Sequence, residues 1–258
     1  MTQSVRRAVN VLFLVAKNGA GQSLTEVAAA SGMSKATAFR LLRTLKEENL
    51  LRHDQVRRRY FPGNGLFQIA GLLDHSEPLR EIALPHMQDL REQTKETISL
   101  VVPEGMERVT VEALPSFHEL RLVPAIHSRR PIYLGAPGKV LLAFRSMREI
   151  DRVIAETGLK PWTSASISSR KPLLKDLANI RLRGYATSVE ETSEGGAATA
   201  APIFDSRNEV VAALNVFGPV FRMAPKLLKR LGALTAVSAA RISKDLGASS
   251  SVSDSRVA

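Results

Sequence analysis

The stretch from Ser23 to Leu45 constrains this chain more than any other. Ser23 stands before Leu24-Thr25-Glu26, so a serine is followed three residues on by a glutamate, the pattern of a reciprocal capping box at a helix start. The short helix it opens carries Val27, Ala28 and Ala30 and stops at Ser31-Gly32-Met33-Ser34. There Gly32 supplies a tight turn and Ser34 caps the next helix. That helix holds Ala38, Leu41, Leu42 and Leu45 at i, i+3, i+4 and i+7, one apolar stripe for a small core. With about 100° between successive residues, its opposite side carries Ala36, Arg40, Arg43 and Glu47, with Thr37 and Thr44 along one margin and Phe39 along the other. A helix that enters the DNA major groove needs small residues and cations at its start, because its first turns approach base edges and phosphates.

The flanks extend the pattern. Upstream, Val5, Ala8, Val9, Leu12, Phe13 and Ala16 recur at helical spacing and predict an amphipathic first helix. Arg6-Arg7 before an apolar run resembles an export signal, but Asn10 interrupts the run and Lys17 ends it. Downstream, Leu50-Leu51-Arg52 reads as a strand and Arg57-Arg58-Arg59-Tyr60-Phe61 as its returning partner around Asp54-Gln55, a basic hairpin suited to the phosphate backbone or the minor groove. Charge is concentrated here. The chain carries a formal +11, and up to Asp74 eleven cations face only five anions, so about the first 29% of the chain holds more than half of the excess. The candidate DNA-contacting residues are Thr25, Ser34, Lys35, Ala36, Thr37, Phe39, Arg40 and Arg43, with Arg57, Arg58 and Arg59 on the hairpin.

At 258 residues the chain has room for a second domain. The sequence predicts a winged helix-turn-helix over 1–62, a linker helix over 63–78, a second domain over 79–246 and a disordered Ser-rich tail over 247–258. A break is expected at Glu77-Pro78, with a helix from Leu79 to Lys95 after it. Beyond Thr97 the texture turns to strands: Ile98 to Val102, Val109 to Leu114 and Leu120 to Ile126, then Tyr185 to Val189 and a hairpin of Ala197–Phe204 with Val210–Phe217. Helices are expected over Gly138–Phe144, Ile150–Thr157, Leu173–Arg183 and Pro225–Leu246. Together these predict an α+β fold with an antiparallel sheet in the second domain.

Enzymatic signals are weak. Gly135-Ala136-Pro137-Gly138-Lys139 lacks the four-residue spacer and the Ser or Thr of a phosphate loop. His53, His75, His86, His118 and His127 have no metal-ligand spacing, and Glu190, Glu191 and Glu194 have no placeable partner. The sequence has no cysteine, hence no thiolate metal site and no cysteine nucleophile. No catalytic residue, metal site or cofactor is expected, and no apolar stretch is long enough to span a membrane.

These residues resemble the IclR family of bacterial transcriptional regulators along roughly Ser4 to Asp245. The match rests on Leu24-Thr25-Glu26-Val27-Ala28 and Ser34-Lys35-Ala36-Thr37-Ala38-Phe39-Arg40-Leu41-Leu42 in the first domain. In the second it rests on Pro131, Gly138-Lys139-Val140-Leu141-Leu142-Ala143, Arg183-Gly184-Tyr185-Ala186, Glu190-Glu191, Gly195, Ala200 to Asp205 and Gly218-Pro219. The resemblance implies a winged-helix domain, a linker helix and a GAF-like effector-binding domain. It further implies a homodimer or homotetramer on double-stranded palindromic operator DNA, a cytoplasmic, nucleoid-associated place, and control of a catabolic operon. It places a small-molecule effector against Ala136, Pro137, Gly138, Ser188, Ala198, Asn215 and Phe217. Backbone N–H groups at the helix start near Gly138 are expected to hold a carboxylate, with Asn215 as the polar anchor of an otherwise apolar pocket. Tyr133 stands where His is frequent in the family, and Ala198 and Phe217 where some members have Cys and Ser. These changes point to an aromatic or otherwise apolar organic acid.

Overall fold

The computed structural model describes residues 3–71 and 76–249, and the chain divides into two compact units, Met1–His75 and Ser76–Ala258. The first unit packs three helices, α1 (Gln3–Ala16), α2 (Leu24–Ser31) and α3 (Lys35–Glu47), on a two-stranded hairpin of β1 (Leu51–Asp54) and β2 (Arg59–Pro62). Ser23 and Glu26 form the reciprocal cap at the start of α2. Gly32 ends that helix in the left-handed region at φ 64°, where a side chain would be strained. Ser34 Oγ accepts the Thr37 N–H at the head of α3. The core comprises Val11, Val15, Val27, Ala28, Ala38, Leu42, Leu45, Leu51 and Tyr60.

Two expectations for this unit change. On α1 the face turned inward is Val11 and Val15 with Leu12 packed beside them, whereas Val5, Val9 and Phe13 are exposed. The returning strand begins at Arg59 rather than Arg57. Asp54 Oδ1 accepts the N–H groups of both Val56 and Arg57 at 3.0 Å, which closes the turn two residues later and leaves Arg57 and Arg58 at the hairpin tip.

The region expected as one linker helix holds two pieces. Helix α4 (Asn64–Gly71) follows the hairpin, and α5 (Ser76–Thr94) opens the second unit with Pro78 in its first turn, where a proline removes no helical hydrogen bond. Residues 72–75 lie outside the described residues, as does most of the expected tail, 250–258.

The second unit is built on one antiparallel six-stranded sheet in the order β5-β4-β3-β8-β7-β6, from β3 (Thr97–Glu104), β4 (Glu107–Leu114), β5 (Arg129–Pro131), β6 (Ala186–Val189), β7 (Gly196–Phe204) and β8 (Val210–Pro219). Alternate side chains face opposite sides. Ile98, Leu100, Leu214 and Val216 pack with α5 and α9 (Pro225–Asp245), whereas Val101, Ala198, Ala200 and Ala213 pack with α6 (Gly135–Ala143), α7 (Met147–Thr157) and α8 (Arg170–Arg183). Leu120 to Ile126, expected as a strand, is irregular. Pro124 has no N–H for a ladder. The edge of β4 from Glu107 to Thr110 is already taken, by β5 and by His127 and Ser128, and 117–126 carry no strand.

Candidate functional site

On the first unit, the outward side of α3 presents Lys35, Ala36, Phe39, Arg40 and Arg43, all exposed, with Thr37 half-buried and Thr25 exposed on α2. They are not equally available. Arg43 Nε donates to Glu47 Oε1 at 2.8 Å, one turn away on the same helix, whereas no ion pair engages Lys35 or Arg40 among the described residues. The hairpin arginines also separate. Arg57 lies 3.9 Å from Asp54 and Arg58 carries no ion pair among the described residues, but Arg59 turns back on its own unit. Its Nη1 donates to Gly21 O at 2.6 Å and its Nη2 to Glu26 Oε1 at 2.9 Å, so much of its fork is spent tying the hairpin to α2. Glu26, in turn, is held below the usual carboxylate range, chiefly by the Ser23 N–H it accepts.

On the second unit, the side of the sheet covered by α6 encloses a cavity of about 260 Å³. Ala136 and Pro137 from α6, Ser188 from β6, Ala198 from β7 and Asn215 and Phe217 from β8 all line it. Gly138, expected beside them, does not. A Cβ there would stand 2.6 Å from Ile132 O and 3.3 Å from Arg108 Cδ, so this glycine lets the helix approach the preceding loop.

The start of α6 is not an open anion site. Ala136 N–H donates to Ser188 Oγ at 3.0 Å, the Gly135 N–H lies against the Glu191 carboxylate, and Pro137 has no N–H to offer. Lys139, one turn on, is a buried structural cation. It is 1% exposed and bonds Glu191 Oε1 at 2.5 Å, Asp176 Oδ2 at 2.7 Å and Thr187 O at 3.0 Å. Burial pushes the Glu191 carboxyl up, against the pull of the Lys139 charge. Glu191 therefore anchors the loop behind the cavity instead of acting on a ligand.

Positive charge comes from the sheet. Arg108 on β4 and Arg130 on β5 both line the cavity, together with the hydroxyls of Ser99, Thr110, Ser128, Thr192 and Ser193. Arg108 is 8% exposed, and its guanidinium is pushed down to about 10 by burial and then by the nearby Arg130 charge. Asn215 is thus one of several polar groups. Its Nδ2 donates to Ser99 Oγ at 3.0 Å. The remaining wall, Leu122 to Ala125 with Ala136, Pro137, Ala198 and Phe217, is apolar or aliphatic.

Comparison with known proteins decides the family. The description "Bacterial transcriptional regulator IclR C-terminal" matches residues 73–244, two thirds of the chain, and "IclR helix-turn-helix domain" matches residues 4–55. The chain belongs to the IclR family of bacterial transcriptional regulators. Among IclR relatives, the transcriptional regulator KdgR of Escherichia coli is 31% identical over 224 residues, 87% of this chain and 85% of the relative. The transcriptional repressor IclR of the same organism is 28% identical over 247 residues, covering 95% and 90%. The Thermotoga maritima IclR crystal structure aligns with a TM-score of 0.63 at 27% identity, over 95% of this chain and 98% of that one. The Agobacterium tumefaciens repressor BlcR shares the fold at a TM-score of 0.74 and 24% identity, over 97% and 99%. As an IclR-family member the protein is a DNA-binding transcriptional regulator with an effector-binding C-terminal domain, in a family of regulators rather than enzymes. No helix among its described residues is long and apolar enough to cross a membrane.

Reading this IclR-family sequence alone missed Arg108 and Thr110. The strand was expected to begin at Val109, one residue too late to include the arginine. The signal was present in the alternation Arg108-Val109-Thr110-Val111, which sends Arg108 and Thr110 to one side of the sheet and both valines to the other.

Proposed function

We propose that this regulator binds a palindromic double-stranded operator as a homodimer or homotetramer, and that a small organic acid with an aromatic or apolar body, seated in the α6 cavity, controls its occupancy of the site. Lys35, Thr37, Phe39 and Arg40 read the major groove, with Ser34 and Ala36 at the head of α3 and Arg43 beside them. Thr25, Arg57 and Arg58 hold the phosphates, and Arg59 braces the hairpin from behind. Effector binding in the second unit then releases or tightens the DNA in the cytoplasm, at the nucleoid, and the controlled genes form a catabolic operon.

The observation carrying this reading is the cavity itself, which gathers Ala136, Pro137, Ser188, Ala198, Asn215 and Phe217 around one space with two arginines and no acidic residue in its lining. A carboxylate is the effector group such a lining favours. For self-association, Val5, Val9 and Phe13 give α1 an exposed apolar stripe of the kind a second copy would cover.

Selection of bound sequences from random duplexes by the full-length protein tests the DNA half. A palindrome is expected, and Arg40→Ala should weaken binding to it by about tenfold to a hundredfold while binding to unselected DNA changes little. Arg58→Ala should weaken all sequences alike and reduce the salt slope by about one. Wild-type selectivity in Arg40→Ala would remove α3 as the reading element.

A further inference from the structure

Among the described residues of the second unit, the other buried cation, Lys139, meets carboxylates, and so does the half-buried Arg222. Lys139 has Asp176 and Glu191, and Arg222 has both oxygens of Glu96. Arg108 has none among the described residues: its hydrogen bond is a long one, from Nε to Leu134 O at 3.4 Å, and the charge that acts on it is that of another arginine, Arg130. A guanidinium carries five N–H donors in a fixed fork, and burying that charge without an anion is costly.

The sheet register makes the arrangement more costly still. Arg108 on β4 stands directly opposite Arg130 on β5, so the two side chains leave the same side of the sheet with their Cβ atoms about 4.5–5.5 Å apart, where like charges destabilise. Arg130 is steadied by its guanidinium lying 4.8 Å over the Trp162 ring and by Nη1 donating to Arg129 O. Both line the cavity, and no aspartate or glutamate does. Beside them Ser128 and Thr110 bring their hydroxyls to 3.2 Å of each other.

We propose that Arg108 and Arg130 form a clamp for one carboxylate of the effector, bidentate on Arg108 and closed by Arg130, with the ligand's body lying toward Pro124, Ala136 and Phe217. The inference rests on the cavity being the effector site. A planar carboxylate matches the fork of a guanidinium and removes the repulsion across β4 and β5 at the same time. The cavity volume suits a compact acid, below the usual span of pockets for drug-sized ligands.

The test is the thermal shift and titration of the full-length protein, at constant ionic strength, with benzoate, phenylacetate and 3-phenylpropionate, each beside its neutral primary amide. At least one acid should raise the melting temperature at millimolar concentration while its amide does not. Arg108→Met should weaken that acid by about tenfold to a hundredfold, and Arg130→Gln, at a more open position, by about tenfold. The second variant keeps the test valid if the first does not fold. Amides that bind as well as the acids, no shift with any acid, or wild-type affinity in Arg130→Gln would each overturn the clamp. Ala198→Trp fills the cavity and separates the two levels. Acid binding that survives it overturns the cavity as the site, whereas binding lost there but intact in both arginine variants leaves the cavity standing and the clamp refuted.

Discussion

Three consecutive arginines at the hairpin have different work because of where a single aspartate closes the turn. Asp54 captures the N–H groups of Val56 and Arg57, the next strand starts at Arg59, and the alternation of that strand turns Arg59 toward Gly21 and Glu26. Composition could identify the basic run, but a one-residue register decides which members are free. Arg59→Ala is therefore expected to lower the thermal midpoint of the protein and to leave the salt slope of DNA binding near the wild-type value, the reverse of Arg58→Ala. Melting curves and binding isotherms at several salt concentrations separate them. A salt slope that falls by about one in Arg59→Ala would show that this arginine reaches phosphate after all. The partner of Arg59 adds a pH dependence. The Glu26 carboxyl sits below its ordinary value, so its contribution is full above about pH 4.5 and is lost as the pH falls through the lowered value.

Elements with caps and strict periodicity were readable from the sequence; elements defined by what lies beside them were not. Both caps of the helix-turn-helix appear where Ser23, Glu26, Gly32 and Ser34 put them, because those signals act within four residues. On α1 the pattern was ambiguous: two apolar faces compete, and contact with α2 and α3 selects Val11 and Val15. The segment from Leu120 to Ile126 has strand composition but joins no ladder: β5 and His127–Ser128 hold the edge of β4 from Glu107 to Thr110, and Pro124 has no N–H to offer. Family resemblance named cavity residues on α6, β6, β7 and β8, while Arg108 and Arg130 come to face each other only through cross-strand register. Helix α6 gives a prediction of its own. Its Lys139 ties together α8, through Asp176, and the loop after β6, through Glu191. Lys139→Met should cost about 3–5 kcal/mol in denaturant unfolding, because two carboxylates lose a buried cation. Adding Glu191→Gln should recover part of that loss; no recovery would mean that Lys139 matters for its packing rather than for its charge.

For the molecule as a whole, regulation requires that effector and DNA prefer different states of the same protein, and linkage then binds the two affinities together. Acid binding that changes operator affinity by some factor must change, by the same factor, the affinity of the operator complex for the acid. The two arginines opposed across β4 and β5 give the empty cavity a repulsion that an anion relieves, a source of differential free energy between the empty and filled states. The two arginines lie in the second unit and the proposed DNA-reading face in the first, so the coupling between acid and operator is itself a quantity to be measured. Titrating the acid that passes the thermal-shift test into protein alone and into its complex with the selected palindrome should give dissociation constants differing by about 5- to 150-fold. The operator dissociation constant, measured with and without saturating acid, should move by an equal factor. Equal acid affinities in the two titrations would mean that the cavity binds its ligand without controlling DNA. If Arg130→Gln still bound the acid, more weakly, but its coupling factor fell to one, the repulsion between the arginines would be the element that transmits the signal. A factor kept at the wild-type value would assign them to recognition alone.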